Sequence, residues 1–266
     1  MLVVRPPAVA GMFYPADADE LARQLAQFLD LAPLFDLQPK ALIVPHAGYI
    51  YSGSIAASAY AALRNVAHRI RRVVLLGPTH RVAVRGLALP GVEAFDTPLG
   101  RVMLDGEAAQ RIAQLPQVCV NRATHAEEHA LEVQLPFLQS VLDDFTLLPL
   151  AVGMADAAEV AEVLEAVWGG DETLIVISSD LSHYLPYPTA CRVDRETVDA
   201  ILKLQQPIAH ERACGGTPVS GLLLAANHHH LAPHLLDLRN SGDTAGSRER
   251  VVGYAAIAFT ENNHDR

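Results

Sequence analysis

Three short apolar runs stand out along the chain. Residues 41–44 read ALIV, residues 73–76 read VVLL and residues 174–177 read LIVI. Each run is too short for a helix, and an unbroken apolar run bounded by Gly, Pro or Ser is typical of a strand buried on both faces. We therefore predict three central strands in a sheet that is covered on both sides.

Helical and strand patterns alternate around these runs. A first helix is predicted from about Asp17, where Asp17 and Glu20 have the spacing of a capping box. Further helices are predicted from residues 52–54 onward and over 105–115, 125–142 with a kink at Pro136, 155–168, 189–204 and 217–231, and further strands over 145–152, 235–241 and 251–260. Residues 82–103 carry turn signals and predict short antiparallel strands. With no Ser/Gly linker between segments, the pattern predicts one α/β domain over residues 1–266.

Side chains suited to chemistry follow each of the three buried strands. His46 follows the first, His80 the second, and Asp180 and His183 the third. Open α/β sheets bind ligands at the carboxyl ends of their strands, so we expect one shared site. Together with Cys214, these residues offer nitrogen, oxygen and sulfur ligands for a metal. The alternative for any single histidine is a loop-capping hydrogen bond without a functional role.

Cys214 differs from the other two cysteines in its setting. It precedes two glycines at a predicted helix start, where the helix dipole favours a thiolate, whereas Cys119 and Cys191 are interpreted as structural. Asp180 and His183 are three residues apart and can act as general base and orienting group. The alternative is that Asp180 only caps the turn that follows it.

Two further groups contain histidine. His129 and Glu132 lie three residues apart on one face of a predicted helix. They either bind a metal directly, support the ligands of a neighbouring site, or belong to a solvated charged face. The run at residues 228–230 (HHH) resembles a metal-binding tract only by composition, and we interpret it as the surface end of a helix.

The composition narrows the class of protein. Half of the 266 residues are hydrophobic and the formal net charge is −10, which argues against nucleic acid or an anionic membrane as the main partner. No apolar run approaches the roughly 20 residues that span a bilayer. Three scattered cysteines are too few for a disulfide framework, which favours a reduced, cytoplasmic protein.

The motifs taken together resemble those of the MEMO family, also called AmmeMemoRadiSam system protein B. The segments that carry the resemblance are VRPPAVAGMFYP near the N-terminus, then VPHAGYIYSG, LLGPTH, EEHALEVQLPFL, SSDLSHY and ACGGTPV, in this order. The fold of the family is similar to that of the class III extradiol (LigB-like) dioxygenases. This similarity implies a single three-layer domain with a central, mostly parallel sheet flanked by helices.

The same resemblance implies roles for individual residues. His46 and His80 correspond to the two imidazole ligands of non-haem iron in those dioxygenases, and Cys214 takes the place of their carboxylate ligand. His183 corresponds to their acid/base histidine, and Asp180 to a further site residue. A thiolate in place of a carboxylate makes a softer site, suited to copper, zinc or a differently tuned iron.

Two functions of different classes follow from this resemblance. The first is a metal-dependent redox protein or oxidoreductase with Fe(II) or Cu, or Zn, acting on an unknown small molecule or peptide. The second is a non-catalytic module that binds a protein or peptide in the dioxygenase-like cleft, and handling of copper or iron without catalysis is a third reading. The family's name also implies AMMECR1-type and radical-SAM proteins as partners.

Overall fold

The apolar runs form the strands of a large sheet, and the amphipathic segments form helices on its two faces. The computed structural model describes residues 2–261. Within these residues the strands are β1 (Val4–Arg5), β2 (Pro39–Val44), β3 (Arg72–Pro78), β4 (Leu87–Leu89), β5 (Ala94–Thr97), β6 (Gly100–Met103), β7 (Val118–Val120), β8 (Thr146–Val152), β9 (Thr173–Ser178), β10 (His183–Leu185), β11 (Leu231–Asn240) and β12 (Val251–Glu261). The α-helices are α1 (Ala18–Leu31), α2 (Tyr49–Ala61), α3 (Gly106–Ile112), α4 (Arg122–Ala126), α5 (His129–Glu132), α6 (Leu135–Val141), α7 (Ala157–Ala166), α8 (Tyr187–Leu202) and α9 (Gly216–His228).

The central sheet is mixed rather than mostly parallel. In the described part of the chain its strand order is β10-β12-β2-β9-β3-β8-β4-β7, and β11 also pairs with β12. The four central strands β2, β9, β3 and β8 are parallel. On the flanks, β12 is antiparallel to β2 and β4 is antiparallel to β8. The parallel arrangement therefore holds for the strands that precede the predicted site residues, while β1, β5 and β6 form a small separate sheet.

Alternate residues of the central strands pack on opposite faces of the sheet, as the period of two requires. In β2, Leu42 and Val44 contact the apolar cluster that includes α1, α2 and α6. Ala41 and Ile43 contact the second cluster, which includes α3, α7 and α9. All four side chains are buried. The α/β fold class with helices on both faces of the sheet is confirmed.

The region 125–142 differs most from its predicted form. Instead of one helix kinked at Pro136, it contains the last two residues of α4 and all of α5 and α6. Pro136 lies in the first turn of α6, where its missing N–H removes no helical hydrogen bond. Glu128 lies in the break between α4 and α5 and caps α5, because its carboxylate accepts a hydrogen bond from the Ala130 N–H.

Smaller differences concern element ends. The helix α9 begins at Gly216, after the N-cap residue Gly215, one residue before its predicted start. The segment after β9 forms β10, antiparallel to β12, where a loop or helical turn was predicted. Tyr184 within β10 has a φ of 58°, in the left-handed region. None of the described helices is long and apolar enough to cross a membrane.

Candidate metal centre

Three imidazoles meet at the carboxyl edge of the parallel strands. His46 follows β2 and His80 follows β3, and β9 lies between these two strands in the sheet. His129, the first residue of α5, joins them. One ligand atom from each of the three histidines lies within 4.8 Å of the others. The ring centroids are 4.7 to 5.4 Å apart.

The ring of His46 is fixed by Ser178, the last residue of β9. The Ser178 hydroxyl donates to the Ala130 carbonyl at 2.6 Å, so its single proton is used. It therefore accepts from the His46 Nδ1–H and from the Gln134 side-chain amide, both at 2.9 Å. This leaves the lone pair of His46 on Nε2. Burial, with His80 nearby, lowers the pKa of His46 to about 3, which keeps the ring neutral.

The ring of His80 is fixed by Glu128. One carboxylate oxygen accepts from the His80 Nδ1–H at 2.9 Å, and the other accepts from the His80 backbone N–H at 2.6 Å. The Nε2 atom of His80 therefore also carries a lone pair. Burial alone raises the pKa of Glu128, but the hydrogen bonds that it accepts from His80 and from the Ala130 N–H outweigh it and lower that pKa to about 2. A carboxylate that orients an imidazole in this way is the usual support of a histidine metal ligand.

His129 is the third histidine of the cluster. Its Nδ1 is 3.4 Å from the Glu128 carboxylate, and its ring contacts Phe13 at a centroid distance of 4.7 Å. Burial and then the neighbouring His46 lower the pKa of His129 to about 4. The sequence left open whether His129 binds a metal directly or supports the ligands of a neighbouring site. Its place in the three-histidine cluster favours direct binding.

Glu132 is not part of the three-histidine cluster. The two oxygens of its fully buried carboxylate accept from the N-terminal segment: from the Arg5 guanidinium and the Ala8 N–H at 2.7 Å, the Val9 N–H at 2.9 Å and the Tyr14 hydroxyl at 2.6 Å. Its hydrogen bonds go to the N-terminal segment instead of the three histidines, and a role of Glu132 in supporting the metal ligands stays a prediction. Glu132 holds the N-terminal segment, which in turn carries Phe13 against His129.

Cys214 lies beside His46, with its Sγ 3.2 Å from the His46 Nε2. It is not a member of the histidine group defined by the 4.8 Å spacing. Burial, together with the charge of Asp180, raises the pKa of the Cys214 thiol to about 12. The expectation of a thiolate in the metal-free protein is therefore wrong, because desolvation outweighs the start of α9. Its role as a metal ligand stays a prediction.

Asp180 and His183 lie on the loop and strand that follow β9. The Asp180 carboxylate accepts from the His46 backbone N–H at 2.7 Å, and burial raises its pKa. His183 donates from Nδ1 to the Leu181 carbonyl at 2.8 Å, which leaves its Nε2 as a proton acceptor. Electrostatic coupling of His183 with both His46 and Asp180 places it in the same region. Their catalytic roles stay predictions.

The sequence analysis missed three supporting residues. Ser178 contacts His46, Phe13 contacts His129 and Gln134 contacts Ser178, all through the tertiary fold, and no local spacing marks them. The contact of Glu128 with His80, 48 residues away, has no local sequence signal either.

The donor set fits a transition metal. Buried histidines that serve packing alone use their ring nitrogens on protein partners, as His125 does with the Ala88 carbonyl. At His46 and His80 the Nδ1 atom is occupied, which leaves Nε2 for a ligand at His80. At His46 the Nε2 atom faces the Cys214 sulfur, itself a possible ligand atom. Neutral imidazoles, with a thiol nearby, suit iron, copper or zinc.

The fold and the site define a class: an α/β protein with a histidine-rich candidate metal centre at the edge of its sheet. The family profile described as Memo-like protein matches residues 5–258, so the chain belongs to the Memo family. This confirms the family resemblance found in the motifs.

Relatives agree with this assignment. A MEMO1 family protein of Aquifex aeolicus is 37% identical over 268 residues, covering 96% of this chain and 99% of that protein. One of Methanosarcina barkeri is 37% identical over 271 residues, with the same coverage. A crystal structure of an uncharacterized protein from Escherichia coli K12 matches with a TM-score of 0.54 and 18% identity, covering 80% of this chain and 98% of that one. At that identity the likeness concerns the fold alone.

Proposed function

We propose that this Memo-family protein is a metal-dependent oxidoreductase whose iron or copper ion is held by His46, His80 and His129, with Cys214 as a further ligand. The observation that carries the proposal is that Nδ1 of both His46 and His80 donates to a protein partner. Ser178 and Glu128 occupy the two Nδ1 atoms, which leaves the Nε2 lone pairs of both rings for the cluster, with the Cys214 sulfur 3.2 Å from that of His46. An ion bound there would supply one-electron chemistry and open coordination positions for a small ligand.

The residues around the cluster would hold and move protons. Asp180 fixes the backbone of His46, and its buried carboxyl has a raised pKa, so it protonates more readily than an exposed aspartate. The His183 Nε2 is available to accept a proton, because Nδ1 donates to a backbone carbonyl. The ring of Phe13 packs against one side of His129.

A pocket beside Cys214 gives a route for a substrate. It is lined by Pro78, Thr79, Val84, Met154, His210 and Cys214, among others. Its mixed apolar and polar lining suits a small organic molecule or the side chain of a peptide. AMMECR1-type and radical-SAM proteins, implied by the family's name, remain partners to be tested.

The test combines metal content with redox behaviour. Untagged protein purified anaerobically without chelator is analysed for iron and copper, beside His46→Ala, His80→Ala and His129→Ala variants. We expect near-stoichiometric iron or copper in the parent protein and its loss in each variant. The variant His68→Ala, at an exposed histidine outside the cluster, is the matched control.

The metal-loaded protein is then reduced and exposed to O₂ while oxygen uptake and the metal's oxidation state are followed. A metal that cycles between two states supports the oxidoreductase. A bound metal that never changes state favours storage or transfer of metal. Protein with no metal in any preparation, and unaltered by the histidine variants, favours the non-catalytic binding module.

A further inference from the structure

A second cluster of metal-binding side chains lies where helices α7 and α9 end. The Glu165 carboxylate is 2.9 Å from the His228 Nδ1 and 2.9 Å from the His229 Nε2. One ligand atom from each of the three residues lies within 4.8 Å of the others. The side chains of Glu165, His228 and His229 are 36%, 72% and 29% exposed, so ions and water reach them from solvent.

This cluster is remote from the interior histidines. His46 follows the carboxyl end of β2, whereas His228 and His229 precede Leu231 at the start of β11. Leu231 pairs with Glu261, and the neighbouring Thr260 pairs with Pro39 at the opposite end of β2. The two clusters therefore lie at opposite edges of the sheet.

One imidazole of the cluster is held in place before any ligand arrives. The ring of His229 stacks on the indole of Trp168 with a centroid distance of 3.9 Å and an interplanar angle of 6°. Trp168 is itself anchored, because its carbonyl accepts from the Lys40 ammonium at 2.7 Å. A ligand side chain that is already ordered loses less entropy when it binds an ion.

The electrostatic setting also favours a cation. Glu165 lies in the last turn of α7, and His228 is the last residue of α9. The carbonyl ends of the two helices, which carry partial negative charge, thus converge on the cluster together with a carboxylate. Two imidazoles and one carboxylate form a donor set that Zn(II), Ni(II) and Cu(II) accept.

We propose that Glu165, His228 and His229 form a second, surface site for a divalent transition-metal ion of the Zn(II) type. On binding, the ion displaces the protons that His228 Nδ1 and His229 Nε2 donate to Glu165. Each ring then binds as a neutral imidazole with its proton on the other nitrogen, and any excess proton is released to solvent. Water completes the coordination, and the ion ties the end of α7 to the end of α9. The site is independent of the function proposed for the interior cluster.

The single tryptophan of the chain gives a local readout. Because Trp168 stacks on His229, Cu(II) bound at the surface site quenches its fluorescence. We expect the same fractional quenching in the parent protein and in His46→Ala/His80→Ala, since the interior cluster is remote. In His228→Ala/His229→Ala, at least tenfold more Cu(II) is required for half-maximal quenching.

Equilibrium dialysis with Zn(II) counts the ions. In the His46→Ala/His80→Ala background we expect one bound equivalent, and a tenfold or larger loss of affinity on adding either His228→Ala/His229→Ala or the milder Glu165→Gln. His68→Ala in the same background is the control and leaves the affinity unchanged. If the double alanine variant of the interior cluster does not fold, the quenching titration of the otherwise unchanged protein with Glu165→Gln decides. Quenching and Zn(II) affinity that are insensitive to Glu165, His228 and His229 would overturn the proposal.

Discussion

His80 and Glu128 are joined twice: both carboxylate oxygens of Glu128 accept from His80, one from the ring Nδ1–H and one from the backbone N–H. This pair fixes the position of the imidazole and places a proton on its Nδ1 atom. Glu128 also caps α5, whose first residue is His129. One carboxylate therefore orients two of the three clustered histidines.

Replacing Glu128 with Gln is expected to weaken metal binding. An amide presents only one acceptor, so one of the two His80 donors faces an NH₂ group. We expect a 10- to 100-fold loss of Zn(II) affinity, the usual size of such an effect. The measurement is competition with a chromogenic chelator in the His228→Ala/His229→Ala background, with Glu127→Gln, at an exposed neighbouring position, as control. Equal affinity in the two Gln variants would remove Glu128 from the site.

The substitution Glu132→Gln is expected to act on stability instead. It leaves the buried Arg5 guanidinium without its counter-ion, and breaking a buried ion pair costs about 3–5 kcal/mol. Urea unfolding of the metal-free protein measures this loss. In the folded variant, Zn(II) affinity should fall less than in Glu128→Gln. A loss of affinity as large as that of Glu128→Gln would assign Glu132 to the support of the metal ligands.

Acidification is expected to destabilise the metal-free protein through its buried neutral histidines. Burial lowers the pKa of His125 to about 4 in the folded state, against an ordinary value near 6.5. Between these values the unfolded chain binds the extra proton, so stability is present above pH 6.5 and is lost as the pH falls towards 4. From pH 7 to pH 5, His125 alone contributes a loss of about 2 kcal/mol.

The variant His125→Gln isolates this contribution, since Gln can still donate to the Ala88 carbonyl. Urea midpoints at pH 7 and pH 5, in the presence of a chelator, give the free energy of unfolding for both proteins. His46 and His129 titrate with the same sign in each, so only the difference between the two pH dependences reports on His125. An identical pH dependence in both proteins would contradict the assignment.

The cysteines are expected to differ in their reactivity with alkylating agents. Cys191 is exposed, Cys119 is half-buried and Cys214 is buried with a raised pKa. In metal-free protein at neutral pH, iodoacetamide should modify Cys191 first and Cys214 last, because the thiolate is the reactive form. Mass spectrometry of the digested protein after timed quenching gives the order. Early modification of Cys214 would show that its thiol is ionised after all.

The ligand role of Cys214 has its own test. If its sulfur binds the interior metal, Cys214→Ser should lower Cu(I) affinity by a larger factor than Zn(II) affinity, because copper(I) prefers soft ligands. Competition titrations under anaerobic conditions measure both affinities. Equal effects on the two metals, or none, would confine the site to the three imidazoles.

The sequence predicted the centre of the fold well because β2, β3 and β9 are short apolar runs with polar residues directly after them. Parallel strands end at one edge, so His46 and His80 could be placed together without coordinates. His129 could not be placed in the same way, because its position depends on the break between α4 and α5. The helical periodicity of residues 125–142 continues through that break and conceals it.

The hydrogen-bond partners of the clustered histidines could not be predicted from the sequence, because they also depend on the tertiary fold. The Ser178 hydroxyl donates its proton in a hydrogen bond to the Ala130 carbonyl, 48 residues away in the sequence. It can therefore only accept from His46, which places the His46 proton on Nδ1. The state of Cys214 was misjudged because a helix start was weighed without the burial that accompanies it. Local patterns report on backbone structure, whereas desolvation depends on the packing of the whole chain.

The position of β9 between β2 and β3 has a consequence for the nascent chain. The ribosome delivers β2 and β3 in succession, but in the sheet these strands do not pair with each other, and each leaves an edge open for β9. Ser178 arrives at the end of β9, 132 residues after the His46 ring that it orients. Insertion of this one late strand therefore closes the middle of the sheet and sets the imidazole in the same event, and a nascent chain that stops short of Thr173 has neither.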